Sequence, residues 1–248
     1  ESITKKSINF NPNIDIAYSN LTAILKDLGK LKEAEKCGLK AIEINPGFAL
    51  AYSNLGNVLK DLGKLRLAKS MYQKAIDLEP SKGEFYCNLG ALLRDEGCPI
   101  EAEKYIRKAI YYLPNSPMIY NNLGLILRDI GNFEEAENVL KKAIDIDSSC
   151  IPSICNLAAF KSSLNDHEFQ IKLFSENLLN QANIKEKVSI YFARANCLHK
   201  LSKFSECQKY LTLANNLKQQ IFPSDLILVK KKTKQLNDYS VKLNIYFI

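Results

Sequence analysis

The stretch YSNLGNVLKDLGKLRLAKSMYQKAIDLEP, from Tyr52 to Pro80, decides the fold because its pattern recurs every 34 residues. Three residue types repeat at this spacing: Pro12, Pro46, Pro80 and Pro114; Tyr18, Tyr52, Tyr86 and Tyr120; Gly29, Gly63, Gly97 and Gly131. A fixed period in this range is typical of a solenoid, in which each repeat buries its apolar face against the next. The sequence therefore predicts an array of stacked repeats.

Each repeat has the pattern of two antiparallel helices. The four regular repeats are 15–48, 49–82, 83–116 and 117–150, and positions are counted from the first residue of each. Apolar or small residues at positions 4, 7, 8 and 11 follow the spacing of one helix face. In the second repeat, Gly63 is placed to end the first helix in a left-handed conformation, and Pro80 cannot continue the second. Gly56 and Ala68 predict a close approach of the two helices.

The chain on either side of these repeats is less regular. Residues 1–14 align with the second half of a repeat, so we interpret them as the second helix of a truncated repeat with further repeats upstream. Residues 151–187 form a degenerate repeat, in which Asn165 replaces the turn glycine and is expected in the left-handed region. Its second helix is expected to run to about Leu179. A sixth repeat spans 188–218.

Residues 219–248 predict a C-terminal capping helix followed by a strand-like tail. The helix is expected from about Asp225 to Asn237, with Ser224 as its cap, and it is rich in lysine. A polar cap over the last repeat is one interpretation, and a patch for an anionic ligand is the other. The final KLNIYFI, residues 242–248, has β character and is interpreted as the first strand of a further domain.

Composition narrows the functional class. The net charge of +7 is spread along the chain and does not require a nucleic-acid partner, and we predict none. The sequence has no apolar run long enough for a membrane span and no signal peptide, so no membrane association is predicted. The seven cysteines lack metal-binding spacing and are interpreted as reduced, mostly buried thiols, which predicts a cytoplasmic protein.

No catalytic constellation is present in the sequence. His167 and His199 lie in different repeats and are interpreted as surface or packing residues. Phosphate-binding glycine loops and metalloprotease motifs are absent. We therefore predict no catalytic residues, no metal and no cofactor in this chain.

Two periodic rows of polar residues are the informative feature. An amide ladder occupies position 6 of successive repeats: Asn20, Asn54, Asn88, Asn122 and Asn156. A carboxylate row follows seven residues later: Asp27, Asp61, Asp95 and Asp129. Seven residues fall only about 20° short of two helical turns, so both rows share one stripe, opposite the apolar positions. The nine residues are predicted to line a groove and to bind a peptide.

The chemistry of these rows suits an extended polypeptide. An amide side chain both donates and accepts, so it can pair with a peptide backbone without reading side chains. Each such bond contributes about 0.5–1.5 kcal/mol net, so that several are needed. The aspartates would favour ligands carrying Lys or Arg. The alternatives are that the asparagines stabilise stacking by bonding the neighbouring repeat, and that the aspartates only solvate helix ends.

The repeats resemble the tetratricopeptide repeat (TPR). The resemblance is strong over 15–150 and weak over about 151–218, and it rests on Tyr52, Leu55, Gly56, Ala68, Tyr72, Ala75 and Pro80. It implies an all-α, right-handed superhelical α-solenoid of antiparallel helix pairs, with a concave groove lined by the first helix of each pair. The basic clamp of repeats that bind chaperone C-termini is missing at positions 2 and 5, which argues against that function.

Two resemblances to larger proteins add an alternative. The phrase AYSNLGNVLKDLGKL is similar to the repeats that precede the catalytic domain of O-linked N-acetylglucosamine transferases, where the asparagine row binds substrate. A repeat array followed by a Lys-rich helix and a strand is similar to bacterial proteins with a C-terminal sulfotransferase domain. The alternative function is thus the substrate-recognition arm of a transferase.

The sequence favours a non-catalytic scaffold that binds a protein or an extended peptide in its groove. Self-association through exposed ends is a further possibility, because a half-repeat and an apolar terminus both leave surface to be covered.

Overall fold

The computed structural model describes residues 15–160 and 164–221, and in this part of the chain all regular structure is helical. The predicted helices at 1–11 and 225–237 and the predicted strand at 242–248 lie outside the described residues. The chain divides into two compact bodies: an N-terminal body that ends at Asp147 and a C-terminal body that begins at Ser148.

Residues 15–147 of the N-terminal body contain four helix pairs, one in each regular repeat. The helices are α1 (Asp15–Asp27), α2 (Leu31–Ile44), α3 (Ala49–Asp61), α4 (Leu65–Leu78), α5 (Gly83–Asp95), α6 (Pro99–Tyr112), α7 (Pro117–Ile130) and α8 (Phe133–Ile146). The start of α5 at Gly83 faces Ala109 and Leu113 at the end of α6, so the two helices of that pair are antiparallel.

A glycine at position 8 sets the close approach within the helix pairs of the second, third and fourth repeats. A Cβ on Gly56 would lie 2.6 Å from the ring of Tyr72, which is fully buried. The corresponding Gly90 faces Ile106 in the third repeat, and Gly124 faces Leu140 in the fourth. The predicted close approach at Gly56 is therefore confirmed.

In the first repeat, the glycine of this contact lies on the second helix instead of the first. Thr22 stands at position 8, and Gly38 stands where the other repeats have Tyr72 and its equivalents. A Cβ on Gly38 would lie 3.4 Å from the Thr22 methyl group and 3.1 Å from Leu55 of the next repeat. The larger residue, Thr22, is thus on the first helix and the glycine is on the second.

Consecutive first helices contact one another in the N-terminal body, α1 with α3, α3 with α5 and α5 with α7. Consecutive second helices in residues 15–147 make no contacts of comparable extent. A stack whose first helices are closer together than its second helices must curve toward the first helices. One face of the first helices therefore lines the inner side of this body.

The turn glycines behave as predicted. Gly29, Gly63, Gly97 and Gly131 have φ values between +72° and +94°. Just after each glycine, a backbone N–H bonds back to a carbonyl five residues earlier, as from Lys64 to Leu59 at 2.8 Å. This left-handed turn allows the second helix to return along the first.

The C-terminal body contains five helices in its described residues. They are α9 (Ile151–Leu157), α10 (His167–Phe174), α11 (Glu176–Gln181), α12 (Ile184–Lys200) and α13 (Phe204–Ile221). The last two form a pair of the regular kind. Lys203 bonds back to Leu198 at 2.9 Å, and Ser202 has φ 60° where the regular repeats have glycine. This pair thus repeats the turn geometry of the regular repeats.

The fifth repeat differs from its prediction in two ways. Its second helix does not run unbroken to Leu179, because Ser175 is extended and its hydroxyl caps a new helix by accepting from the N–H of Leu178. Asn165 is not left-handed, since Ser202 is the one non-glycine residue with positive φ in the described chain. The first helix ends at Leu157, well before Asn165, so there is no glycine-type turn for Asn165 to make.

The first helix of the sixth repeat also begins earlier than position 188. It starts at Ile184, because Asn183 and Glu186 form a capping box. The Asn183 side chain accepts from the N–H of Glu186 at 3.0 Å, and Glu186 accepts from the N–H of Asn183 at 2.8 Å.

A buried arginine stabilises the break between α10 and α11. Arg194 is 1% exposed and donates to the carbonyls of Leu173 and Ser175, both at 2.8 Å. Its guanidinium also lies 5.7 Å from the ring centre of Phe174 and 5.5 Å from that of Tyr210. Carbonyls that lose their helical donors at a helix end need another partner, and Arg194 supplies it.

We expect Ser202→Gly to raise the free energy of unfolding of the sixth repeat by about 0.5–1 kcal/mol, because glycine removes the left-handed strain of Ser202. Gly63→Ala is the matched opposite: no side chain lies within 4 Å of its added Cβ, and its φ is +74°, so only strain changes. That substitution should cost about 1–2 kcal/mol. Thermal melts followed by circular dichroism test both. An unchanged or lower melting temperature for Ser202→Gly would contradict this account of the turn.

Candidate peptide-binding groove

On α1, α3, α5 and α7, accessible residues form a stripe at positions 2, 6, 9 and 13. On α3 these are Leu50, Asn54, Asn57 and Asp61, while the residues between them are mostly buried. Their spacing of four, three and four residues is that of a single helix face. The stripe contains both predicted rows, so Asn54 and Asp61 share a face of the first helix. Asn57 in the middle accepts a hydrogen bond from the Tyr72 hydroxyl at 2.7 Å.

The amide ladder bonds across repeats in the N-terminal body. Asn54 donates from Nδ2 to the Ser19 hydroxyl at 3.0 Å and lies 3.3 Å from the Ser19 carbonyl oxygen. Asn88 donates to the Ser53 hydroxyl at 3.0 Å. The same donor of Asn122 lies 3.3 Å from the Cys87 sulfur. Each amide therefore stabilises the stacking of its own repeat on the preceding one.

These bonds do not use the whole amide. The described residues include no donor to the Oδ1 atoms of Asn54, Asn88 and Asn122, and the three side chains remain partly exposed. Asn20 is exposed, and the residues before its repeat lie outside the described chain. Asn156 belongs to the C-terminal body, where it lines a pocket.

The acceptors at position 5 could have been found from the sequence. Small residues that can accept a hydrogen bond, Ser19, Ser53 and Cys87, each stand directly before a ladder asparagine. What the sequence alone does not give is that the asparagine bonds the position-5 residue of the preceding repeat, since this depends on how the helices stack.

The carboxylate row is paired with cations of the preceding repeat. Lys60 lies 3.4 Å from Asp95, and Arg94 lies 2.6 Å from Asp129. Lys26 is shared, at 3.2 Å from Asp27 and 3.9 Å from Asp61. Sequence reasoning missed these position-12 cations, although each stands beside an aspartate. The pairs are exposed and each contributes only about 0.2–1 kcal/mol, but they balance the charge of the row.

Apolar side chains border the ladder on the other side. Ile16, Leu50 and Met118, all at position 2, are 56%, 38% and 49% exposed, and Glu84 takes this position in the third repeat. Along its length, each first helix of the regular repeats therefore presents a position-2 side chain, then an amide, and then a carboxylate with its cation.

The C-terminal body contains an open pocket between α9 and α12, with a volume of about 530 Å³. Its lining includes Pro152, Cys155 and Asn156 from α9, and Glu186, Phe192 and Ala193 from α12. Of the nine lining residues, five present apolar or thiol surface, three are polar and neutral, and Glu186 is the charged one.

Cysteines and histidines form no reactive cluster in the described residues, where no group of three or more His, Cys, Asp or Glu could hold a metal ion. All seven cysteines are free thiols. Burial raises the pKa of Cys155 to about 12, and it also raises the pKa of Cys87. His167 is exposed at the start of α10, whereas the ring of His199 packs edge-on against Phe204.

Comparison with known families identifies the repeat. Three models of the tetratricopeptide repeat match residues 17–48, 49–82 and 83–149, which together make up more than half of the chain. These matches are to the repeat itself and give no link to O-linked N-acetylglucosamine transferases or to sulfotransferases. No curated protein matches the chain significantly.

Solved structures share the fold. YrrB, described as a TPR protein with an unusual peptide-binding site, is 22% identical, has a TM-score of 0.54, and aligns over 80% of this chain and 97% of its own. PilF of Pseudomonas aeruginosa is 18% identical, with a TM-score of 0.62, over 89% and 97%. MamA is 25% identical, with a TM-score of 0.52, over 58% and 85%. The predicted all-α TPR solenoid is therefore confirmed.

Among the described residues, every helix is too short or too polar to span a bilayer.

We expect Cys155 to resist alkylation, because only a thiolate is nucleophilic and a raised pKa lowers the thiolate fraction at any given pH. Iodoacetamide at pH 8, followed by peptide mass spectrometry, should label the exposed Cys98 well before Cys155. The labelling rate of Cys155 should continue to rise about tenfold per pH unit above pH 9, as long as the protein remains folded. Labelling of Cys155 as fast as Cys98 at pH 8 would contradict the assignment.

Proposed function

Because the chain belongs to the tetratricopeptide repeat family, we propose that it is a non-catalytic scaffold that binds an extended peptide along its first helices. The family and its structural neighbours support a protein-interaction role, and the repeat fold is typically non-catalytic. The observation that carries the peptide proposal is the amide ladder, whose side chains are held in place and yet remain partly exposed.

The bond to the preceding repeat favours ligand binding rather than competing with it. An asparagine amide has two N–H donors and one oxygen with two acceptor sites. Asn88 uses one donor on Ser53, which fixes the plane of the amide and leaves one donor and the oxygen for a peptide backbone. A side chain that is already ordered loses less conformational entropy when a ligand binds. The two interpretations of the ladder, stacking and peptide contact, are thus compatible.

The proposed site comprises the ladder residues as main contacts and the carboxylate row as secondary ones: Asn20, Asn54, Asn88, Asn122 and Asn156; Asp27, Asp61, Asp95 and Asp129. The aspartates keep exposed surface, 51% for Asp95 and 33% for Asp129. Their cationic partners reduce the selection for basic ligands that an unpaired row would give. Exposed apolar groups at position 2 favour a ligand with apolar side chains.

YrrB is described as having an unusual peptide-binding site, which agrees with this proposal. The role as recognition arm of a transferase stays a prediction, because no described residue bears on it. The same holds for self-association through the chain ends and for a cytoplasmic location.

The test uses a peptide selected from a phage-displayed random library against the wild-type protein. We expect Asn54→Ala with Asn88→Ala to weaken its binding about tenfold or more, because two amide contacts of about 0.5–1.5 kcal/mol each are removed. Fluorescence anisotropy gives the dissociation constants.

Ser19→Ala with Ser53→Ala is the matched control. It removes the two bonds to the serine hydroxyls and keeps the amides, while Asn54 retains its contact with the Ser19 carbonyl, so melting should fall by no more than in the asparagine variant and affinity should change by about threefold or less. Equal affinity losses in the two double variants, or none in either, would show that the ladder acts only in stacking.

A further inference from the structure

The amide ladder stops at the sixth repeat, where position 6 is Ala193. In the second to fourth repeats, the position-6 asparagine donates to position 5 of the repeat before it. Position 5 of the fifth repeat is Cys155, and Ala193 has no group to donate. Position 6 of the sixth repeat and position 5 of the fifth both line an open pocket between α9 and α12.

This is the pocket of about 530 Å³ in the C-terminal body, lined by both Cys155 and Ala193. Its volume lies within the range of about 300–1,000 Å³ of sites that enclose small ligands. Pro152 and Phe192 extend the apolar surface, and Phe192 is 37% exposed at the pocket. A large apolar side chain of the protein therefore faces solvent at an open pocket, whose polar lining residues are Asn156, Glu186, Ser189 and Asn196.

The Cys155 thiol contributes apolar surface rather than a nucleophile. Burial raises its pKa to about 12; the Arg194 guanidinium opposes this shift and the Glu186 carboxylate adds to it. The group is thus a protonated thiol at neutral pH, and a buried thiol behaves as a small hydrophobe.

Glu186 is the one charged residue among those that line the pocket. Its position is fixed, because one carboxylate oxygen accepts from the N–H of Asn183 in the capping box. A fixed anion beside an apolar cavity is complementary to an apolar group that has a cation next to it.

We propose that this pocket binds a bulky apolar side chain of a peptide whose neighbouring residue is lysine or arginine. The proposal rests on the proposed function in one respect, namely that the ligand is a peptide. It adds a specificity site that backbone contacts of the amide ladder do not provide.

Two degenerate peptide libraries test the proposal, one with Phe-Lys at its centre and one with Ser-Lys. The wild-type protein should bind the Phe-Lys library about tenfold more tightly or better, since burial of an aromatic side chain contributes at least that much. Ala193→Asn restores a ladder amide and places a polar group on the wall of the pocket beside Cys155, and it should strongly reduce the difference. Phe192→Ala removes one wall at an exposed position, and it should reduce the difference even if Ala193→Asn fails to fold. A preference retained in both variants would overturn the proposal.

Glu186→Gln tests the charge with the helix cap intact, because glutamine serves equally in a capping box. The wild-type protein should prefer Phe-Lys over Phe-Gln by about fivefold, and this variant should lose that preference while keeping its preference for Phe over Ser. If the Lys preference persists in the variant, Glu186 does not select the cation.

The ladder variant distinguishes this proposal from the general one. Asn54→Ala with Asn88→Ala should weaken both libraries alike and leave the Phe preference unchanged. If the double asparagine variant has no effect and Ala193→Asn removes the preference for Phe, the proposed role of the ladder is wrong and that of the pocket is supported. If the double asparagine variant weakens the binding of both libraries and Ala193→Asn changes nothing, the proposed role of the pocket is wrong and that of the ladder is supported.

Discussion

The contact between a position-8 glycine and a large side chain on the second helix is the constraint on which the regular repeats depend. At Gly56 and Tyr72 no further carbon atom fits, so this contact sets the distance and the phase within the pair. Helix pairs with this shared geometry then stack with the same offset from one repeat to the next. Both kinds of inter-repeat bond join residues that are 35 apart, Asn88 to Ser53 and Asp95 to Lys60. One packing contact therefore aligns the amides and the charged pairs of successive repeats.

Much of this could be predicted because it is periodic. The helix pairs, the left-handed glycines and the shared stripe of Asn and Asp all follow from a 34-residue repeat and from helix geometry. The partners of those polar residues did not follow, because bonding at 35 residues depends on the stacking offset, and no local pattern contains it. The fifth repeat was misjudged for another reason. Ser175 and Arg194 have no equivalents in the regular repeats. The hydrogen bonds from the buried Arg194 guanidinium to two carbonyls therefore cannot be predicted from a periodic pattern.

The same geometry suggests how a repeat array can serve stability and recognition with one residue. A ladder amide donates one N–H to the preceding repeat, and its second N–H and its oxygen remain available to a ligand in the groove. Where Ala193 interrupts the series, the residue has no side-chain donor and lines an open pocket. Variation at position 6 could thus change the chemistry of the groove, from backbone pairing to side-chain selection, without altering the helices that support it.

The most direct test of this account is nuclear magnetic resonance of the side-chain amides in the ¹⁵N-labelled protein. In the free protein, one of the two amide protons of Asn54 and of Asn88 should exchange slowly, because it is bonded to Ser19 or Ser53. A selected peptide should then shift both resonances and leave the exposed Asn216 unchanged. If peptide binds while the amides of Asn54 and Asn88 do not move, the groove is elsewhere and the ladder only stacks the repeats.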